Sequence, residues 1–311
     1  MSESDSATLS GVDASPTSGA PRWHAHSYDR AALYRLAEAF GWLPRAARLT
    51  LARQLGALAY HVLHRERATA HALLTRATGT SGARLETLAR RLFRDFAMCF
   101  SDLVSTNRGP AEKLVPYVAA ITGADHLQQL SSGVVSITAH VGNWELAGRL
   151  LATQRTCTTH VVVTAEDTPA LRRWMRRDGE GVRFVPRAHP AVGVELVRAL
   201  RRGDVVALQG DRAIGTRGDV MIPFFGRPAP FPLGPFILAR AARVPVVPAF
   251  CVLGPDYRYT VRVEPPIAVE QGGEEASART WVASLERFVR EHPTQWFNFF
   301  DVWRPLPSSS A

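Results

Sequence analysis

The alternation of short apolar runs with helical segments after Pro110 is the feature that most constrains the fold. The predicted strands span 134–138, 160–164, 182–185, 204–208, 246–253 and 257–264. Helical spacing is found over 144–154, 169–177, 193–202 and 281–291. Strands separated by helices of this length require parallel crossover connections. We therefore predict an α/β fold with a central, mostly parallel sheet that is flanked by helices.

From Asp29 to about Phe100 the sequence has a helical pattern. Apolar residues recur at three- and four-residue steps, as in Leu51, Leu55, Leu58 and Val62, and a further helix is predicted over 83–104. Residues 1–22 are rich in Ser, Thr, Gly, Ala and Pro, which predicts a disordered tail. We expect this tail, an N-terminal helical layer over 23–110, and an α/β core over 111–306 that forms one globular unit with the layer.

The chain is strongly basic, with a formal net charge of +9, and Lys113 is its single lysine among many arginines. A genome that favours arginine codons explains this composition, and so does attraction to an anionic partner such as a phospholipid surface or a nucleic acid. The arginines are scattered without interleaved stacking aromatics, so nucleic acid is not the expected partner. Three distant cysteines predict neither a disulfide nor a zinc site.

The apolar stretches 49–63 and 233–253 are interrupted by arginine, and the second also by proline, so neither is predicted to span a membrane. The N-terminus lacks the pattern of a secretion signal. Between residues 43 and 76, apolar side chains alternate at helical spacing with six arginines against Glu66 alone. This pattern is typical of a helix that contacts an anionic membrane surface. It is equally typical of a helical layer that packs on the sheet with solvated arginines.

His140 directly follows the predicted strand 134–138, at a position where open parallel sheets gather catalytic groups. Gly142 permits a tight turn, Asn143 is a good helix N-cap, and Glu145 then falls in the first helical turn. Across this strand–turn–helix corner we expect the Glu145 carboxylate to fold back toward the imidazole of His140.

Such a His–Glu pair predicts general-base catalysis. A carboxylate that binds one ring nitrogen fixes the tautomer and raises the basicity of the other nitrogen, which can take a proton from an attacking hydroxyl. No serine or cysteine nucleophile lies beside His140 in the sequence, which favours direct transfer, and helix N-terminal amides are suited to a developing oxyanion. The same spacing fits a histidine that only hydrogen-bonds a loop, and spacing alone leaves both interpretations open.

The stretch 136–145 (SITAHVGNWE) resembles the HX4(D/E) motif of the lipid A late acyltransferases, a branch of the lysophospholipid acyltransferase superfamily. The resemblance continues in order through 209–212 (QGDR), 224–226 (FFG) and 244–248 (VPVVP). It covers roughly Leu33 to Arg304, and the ordered set is specific although each piece alone is weak. The resemblance implies an acyltransferase-like fold whose catalytic centre lies in the α/β core.

The resemblance also implies roles for individual residues. His140 becomes the general base and Glu145 its acidic partner, while Asp211 and Arg212 help to hold the acceptor or its phosphate. The expected substrate-binding residues are Gly142, Asn143, Asp211, Arg212, Gly226 and Arg227. Structural interpretations stand beside these roles, since Asp211 also fits a loop cap, Arg212 a solvated charge and 224–226 a turn.

The expected co-substrate is a fatty acyl thioester of acyl carrier protein or of coenzyme A, with no bound cofactor and no metal. The expected acceptor is a hydroxyl of a lipid or glycolipid, at the cytoplasmic face of the inner membrane, where the protein is expected to bind peripherally. A non-catalytic lipid- or nucleic-acid-binding protein and a metal-dependent hydrolase that uses His140 and Glu145 are the alternative classes.

Two departures from the family pattern weaken the case for lipid A as the acceptor. The Tyr-Arg-Pro-like segment usual after the second strand is replaced by 163–169 (VTAEDTP), with Glu166 in place of a basic residue. The aromatic ending 295–303 (QWFNFFDVW) is also unlike the usual lipid A enzymes. We expect this ending to pack as core or lid rather than to bind a cofactor.

Overall fold

The computed structural model describes residues 39–106, 111–152, 156–163, 181–187, 191–213 and 218–303. The predicted tail, the layer before residue 39, the predicted helix 169–177 and Glu166 lie outside these residues, and the proposed domain boundaries stay predictions. The described chain begins with three helices, α1 (Arg45–Val62), α2 (His64–Thr78) and α3 (Gly82–Thr106).

Strands and helices then alternate after a 3₁₀ turn at Ala111–Tyr117. The strands are β1 (Val118–Thr122), β2 (Val134–Thr138), β3 (Thr159–Val163), β4 (Val182–Pro186), β5 (Val205–Gln209), β6 (Asp219–Phe224), β7 (Arg227–Pro232), β8 (Val246–Leu253) and β9 (Tyr259–Val263). The helices are α4 (Asp125–Gln128), α5 (Trp144–Ala152), α6 (Val192–Arg201), α7 (Gly234–Ala242) and α8 (Glu274–Glu291).

Seven of the described strands form one sheet in the order β1-β9-β8-β2-β5-β3-β4. Its neighbouring strands are parallel except β8 and β9, which confirms the predicted mostly parallel sheet. β2 lies in the sheet between β8 and β5, where Val134 and Val135, which point to opposite faces, are both buried. The carboxyl ends of β2 and β5 therefore meet at one edge of the sheet.

Helices cover both faces of this sheet, as predicted. On one face, Leu92 of α3 and Leu146 of α5 belong to a hydrophobic cluster that includes Val261 of β9. On the other face, Phe236 of α7 and Trp281 of α8 belong to a second cluster with the central strands. Burial of these apolar side chains is the main force that holds the layers together.

The apolar stripe of α1 is not the face that packs on the protein. Gly56 lies so close to α3 that an added Cβ would stand 2.6 Å from the Phe93 carbonyl oxygen. Leu55, Leu58 and Val62, whose spacing predicts the helix, are instead 53 to 60% exposed. In the described part of the chain, no helix is both long and apolar enough to cross a bilayer.

The β6–β7 hairpin and β1 are the strands that the sequence pattern does not predict. Four prolines lie in the hairpin, and proline weakens a strand prediction because it has no N–H to donate. They are tolerated here because β6 and β7 form a two-stranded sheet of their own. β1 is a short edge strand with a half-exposed pattern, which gives little apolar signal.

Candidate active site

His140 and Asp211 each lie two residues beyond the end of a central strand. Because β2 and β5 pair in parallel with Thr138 opposite Gln209, their two following loops run side by side. Nδ1 of His140 donates to Oδ1 of Asp211 at 2.8 Å, and the backbone N–H of His140 donates to Oδ2 at 3.0 Å. Within the described residues Nε2 has no hydrogen-bond partner, and the side chain is 22% exposed. Nε2 is thus the ring nitrogen that a substrate can reach.

The Asp211 carboxylate is fully buried and saturated with protein donors. Oδ2 also accepts from Nε1 of Trp296 at 3.0 Å and from Nδ2 of Asn298 at 3.3 Å. Burial favours the protonated carboxyl, but His140, Arg212 and the Trp296 indole together hold the pKa of Asp211 well below its usual range. Asp211 is therefore the ionised partner of His140. The contact with the acceptor that the resemblance implies for Asp211 stays a prediction.

The surroundings of His140 favour a neutral imidazole. Burial is the largest effect and the charge of Arg212 the second, and they lower the pKa of His140 below its ordinary 6.5 although Asp211 opposes them. With the proton on Nδ1, a neutral ring carries its lone pair on Nε2. The pair therefore presents a base, and not a fixed cation, at neutral pH.

Arg212 is held by the C-terminal segment of the chain. Its Nε donates to Oδ1 of Asn298 at 3.0 Å, and its Nη2 donates to the Phe297 carbonyl at 3.3 Å. Its guanidinium lies 5.1 Å from the centre of the Phe300 ring. Burial lowers the pKa of Arg212 to about 10, so the side chain remains charged at neutral pH. Arg212 thus supplies a fixed positive charge beside the imidazole.

Gly142 and Asn143 shape the loop between His140 and α5. Gly142 has a φ of 50°, and a Cβ there would stand 2.2 Å from the Cys251 carbonyl oxygen, so only glycine fits. Oδ1 of Asn143 accepts from the Leu146 N–H at 3.1 Å, as expected of an N-cap. These contacts give both residues a structural reason to be present, and their contact with substrate stays a prediction.

Glu145 is buried in the first turn of α5 and lines the cleft described below. The ring of His140 bonds to Asp211 and, among the described residues, not to Glu145. The structure thus differs from the expected fold-back of Glu145, because the strand register brings Asp211 to the imidazole first. A catalytic role for Glu145 stays a prediction.

Gly226 and Arg227 lie at the turn of the β6–β7 hairpin. Gly226 has a φ of 76°, and the preceding N–H of Phe225 donates to Oε2 of Glu286 at 2.8 Å. In the described chain, neither Gly226 nor Arg227 makes a hydrogen bond or ion pair with His140. The structure does not join these two residues to the His140–Asp211 pair, and their substrate-binding role stays a prediction.

The C-terminal segment completes the site and is the part that the sequence interpretation misses. Val141 and Trp296 form an antiparallel bridge, in which the Gly142 N–H donates to the Gln295 carbonyl at 3.0 Å. The Phe297 N–H donates to the His140 carbonyl at 2.8 Å. The aromatic ending packs as core, as expected, and it also places Trp296 against Asp211. The sequence feature that indicates this contribution is the presence of two polar residues, Gln295 and Asn298, among the aromatic residues of 295–300.

A mostly apolar cleft lies between the sheet and α5, beside the His140–Asp211 pair. It is lined by Thr138 and Gln209, the last residues of β2 and β5, and by Glu145 and Gly148 of α5. Among the described residues, no atom lies within 4 Å of a Cβ added at Gly148. The lining of the cleft is thus mostly apolar, and it begins at the strand ends that precede His140 and Asp211.

Together, the fold and the site define an α/β protein with a histidine–aspartate pair at the carboxyl edge of its sheet. No cluster of three or more potential metal-ligating His, Cys, Asp or Glu residues occurs in the described chain. The sequence matches the family described as bacterial lipid A biosynthesis acyltransferase over residues 31–305, and the chain belongs to this family. This confirms the family expected from the motifs.

Similar proteins include the phosphatidylinositol mannoside acyltransferases of two Mycobacterium tuberculosis strains, CDC 1551 and H37Rv. Each is 28% identical to this chain over 191 residues, which are 59% of this chain. The matched region also spans 59% of the length of these relatives. The crystal structure of a 1-acyl-sn-glycerophosphate acyltransferase from Thermotoga maritima matches 82% of this chain and 100% of its own, with 17% identity and a TM-score of 0.39.

Proposed function

We propose that this protein is an acyltransferase that moves a fatty acyl group from an acyl thioester to a hydroxyl of a lipid or glycolipid. The observation that carries the proposal is the 2.8 Å bond from Nδ1 of His140 to Asp211, which leaves Nε2 without a hydrogen-bond partner among the described residues. A mostly apolar cleft is lined by Thr138 and Gln209, the strand ends that precede this pair. Membership in the family supports the reaction class. His140 is the general base and Asp211 its positioning partner.

In this mechanism Nε2 of His140 removes the proton of the acceptor hydroxyl as its oxygen attacks the thioester carbonyl carbon. The tetrahedral intermediate collapses, the carbon–sulfur bond breaks, and the imidazolium returns the proton to the leaving thiolate. Asp211 keeps the proton on Nδ1 and stabilises the imidazolium that forms between these steps. Backbone amides of the first turn of α5 are the proposed donors to the developing oxyanion.

The acyl chain is assigned to the cleft between the sheet and α5. Its lining is mostly apolar, and small side chains such as Ala147, Ala207 and Gly148 leave room for a hydrocarbon chain. Acyl carrier protein or coenzyme A delivers the chain as a thioester, and the net charge of +9 suits either anionic carrier. No further cofactor is part of the proposal.

The acceptor is assigned to the opposite side of the base, toward Arg212. Among the described residues, this guanidinium uses Nε and Nη2 for protein contacts, and we assign its remaining N–H groups to an anionic group of the acceptor. Arg227 and Gly226 of the hairpin turn stay proposed contributors to acceptor binding.

We propose that the protein acts peripherally at the cytoplasmic face of the inner membrane. Exposed apolar residues near the N-terminus support this location: Trp42 is 80% exposed, and Leu55, Leu58 and Val62 form an exposed stripe on α1. Sedimentation with vesicles of anionic phospholipid tests it. Replacement of Leu55 and Leu58 by serine is expected to reduce binding, and unchanged binding would contradict this assignment of the surface.

The reaction is tested by replacing His140 with alanine. The purified protein is incubated with a long-chain acyl thioester, of acyl carrier protein or of coenzyme A, and with a lysophospholipid or glycolipid acceptor. The acylated product is measured by mass spectrometry. We expect His140→Ala to lose about 10²–10⁴-fold in rate. The exposed His64→Ala is the matched control and should keep the wild-type rate. Near-normal transfer by His140→Ala would refute the assignment, and thioester hydrolysis without transfer would indicate a hydrolase.

A further inference from the structure

Asn298 is a fully buried amide whose two ends contact two charged residues of the site. Its Oδ1 accepts from Nε of Arg212 at 3.0 Å, and its Nδ2 donates to Oδ2 of Asp211 at 3.3 Å. An arginine can only donate and an ionised carboxylate can only accept. A side-chain amide, which has one oxygen and one NH₂ group, meets both requirements without adding a charge.

The contact with Asn298 is notable because Asp211 and Arg212 are adjacent in the chain and carry opposite charges. In the described chain they form no ion pair with each other. Asp211 instead bonds to His140, and Arg212 bonds to Asn298 and to the Phe297 carbonyl. The Asn298 amide therefore contacts both charged groups, which would otherwise be able to form a direct ion pair.

The position of Asn298 is fixed by the backbone around it. The neighbouring Phe297 N–H donates to the His140 carbonyl, and Trp296 bridges to Val141. The segment that carries the amide is thus attached to the loop that carries the base. A change at Asn298 should act on the site locally, through the two charges that it contacts.

We propose that Asn298 is a positioning residue that keeps Arg212 from pairing with Asp211 and so reserves the Asp211 carboxylate for His140. The inference deepens the proposed function, on which it rests for the role of His140 as a base. Without the amide, Arg212 would turn to Asp211 and compete with the imidazole for the carboxylate. Nδ1 of His140 would then lose the acceptor that fixes its tautomer.

The test compares Asn298→Ala with Asn298→Asp. Among the described residues, the charged groups that act on His140 are Arg212, which disfavours protonation, and Asp211, which favours it. In Asn298→Ala, pairing of Arg212 with Asp211 weakens the effect of the carboxylate, so His140 should titrate at lower pH than in the wild type. In Asn298→Asp, a second carboxylate beside the site should make His140 titrate at higher pH. We expect kcat/KM to fall about tenfold or more in Asn298→Ala, because two buried groups lose a hydrogen bond.

Two readouts keep the test independent of the proposed reaction. The pH dependence of kcat/KM reports the base during transfer, and NMR titration of the imidazole, assigned by its absence in His140→Gln, reports it without any substrate. Thr294→Val is the matched control. It removes a 2.7 Å bond from the same segment to Asp95 and contacts neither Asp211 nor Arg212, so His140 should titrate as in the wild type.

Opposite shifts in the two Asn298 variants, with no shift in Thr294→Val, support the proposal. Wild-type titration of His140 in both variants, whatever their stability, would overturn it and leave Asn298 a packing residue. If Asn298→Ala does not fold, the shift in the nearly isosteric Asn298→Asp decides the question. Failure of the proposed reaction would show as transfer that survives His140→Ala, and the NMR titration would still decide the role of Asn298.

Discussion

Two of the buried aspartates, Asp211 and Asp102, have very different surroundings. Neither Asp211 nor Asp102 has an exposed side chain. Asp211 accepts from His140 and from the uncharged side chains of Trp296 and Asn298. Asp102 instead forms ion pairs with Arg45 at 2.7 Å and Arg48 at 3.7 Å, and it accepts a hydrogen bond from the Tyr259 hydroxyl at 3.1 Å.

In the proposed function, this difference distinguishes a carboxylate that supports the base from a structural one. Asp102 faces arginines, which keep their charge at every physiological pH, so its network is constant and joins α1, α3 and β9. Asp211 faces an imidazole, whose charge changes during proton transfer. In the proposed function, a buried carboxylate that bonds to a histidine and forms no ion pair with the arginine next to it in the chain is the group beside which the proton moves.

The largest expected effect comes from Asp102→Asn. It leaves Arg48 buried without its anion, and we expect a loss of about 3–5 kcal/mol in the free energy of unfolding. The folded fraction should keep its transfer rate. Urea unfolding followed by circular dichroism measures the loss, with the exposed Asp125→Asn as a control that changes stability by less than about 0.5 kcal/mol. A fall in the transfer rate without a fall in the free energy of unfolding would contradict a purely structural role for Asp102.

The second prediction concerns pH. Because burial and Arg212 lower the pKa of His140 below 6.5, the neutral base persists as the pH falls to that value. The acid limb of kcat/KM should therefore lie below pH 6.5, since activity is lost only when the pH passes downward through the lowered pKa. Asp102→Asn should leave this limb in place. An acid limb above pH 6.5 would contradict the neutral, buried base.

The smallest expected effect comes from the cleft beside the site. Gly148→Leu places a side chain in open space that the acyl chain is proposed to occupy, so the preferred acyl chain should become shorter. We expect kcat/KM for the longest accepted chain to fall about tenfold while shorter chains are less affected. Gly193→Leu on α6, which also has open space at its Cβ but lies outside the cleft, is the control. An equal fall in kcat/KM for all chain lengths would contradict the assignment of the acyl chain to this cleft.

The sequence predicts those parts of the molecule that depend on local pattern. The strand 134–138 and the Asn143 cap are as predicted because apolar runs and cap residues act over a few positions. The partner of His140 is not local. Glu145 is five residues away in the chain, yet the register of β2 and β5 brings Asp211, 71 residues away, to the imidazole.

The C-terminal contribution could not be derived from spacing at all. Trp296 and Asn298 reach Asp211 from 85 and 87 residues along the chain, through a bridge that is only one residue pair long. A contact of this kind depends on how α8 returns the chain to the sheet edge, and a single sequence contains no periodic signal for that. An amide among aromatic residues was the one local sign that this segment does more than pack.

The central claim, that Asp211 and not Glu145 is the carboxylate that supports His140, is tested most directly by comparing Asp211→Asn with Glu145→Gln. Initial rates of acyl transfer are measured for both variants and for His140→Ala, at one pH and with one thioester and acceptor. We predict that Asp211→Asn falls about 10²–10⁴-fold, close to His140→Ala, and that Glu145→Gln loses clearly less. A rate near wild type for Asp211→Asn, with Glu145→Gln as slow as His140→Ala, would contradict the account.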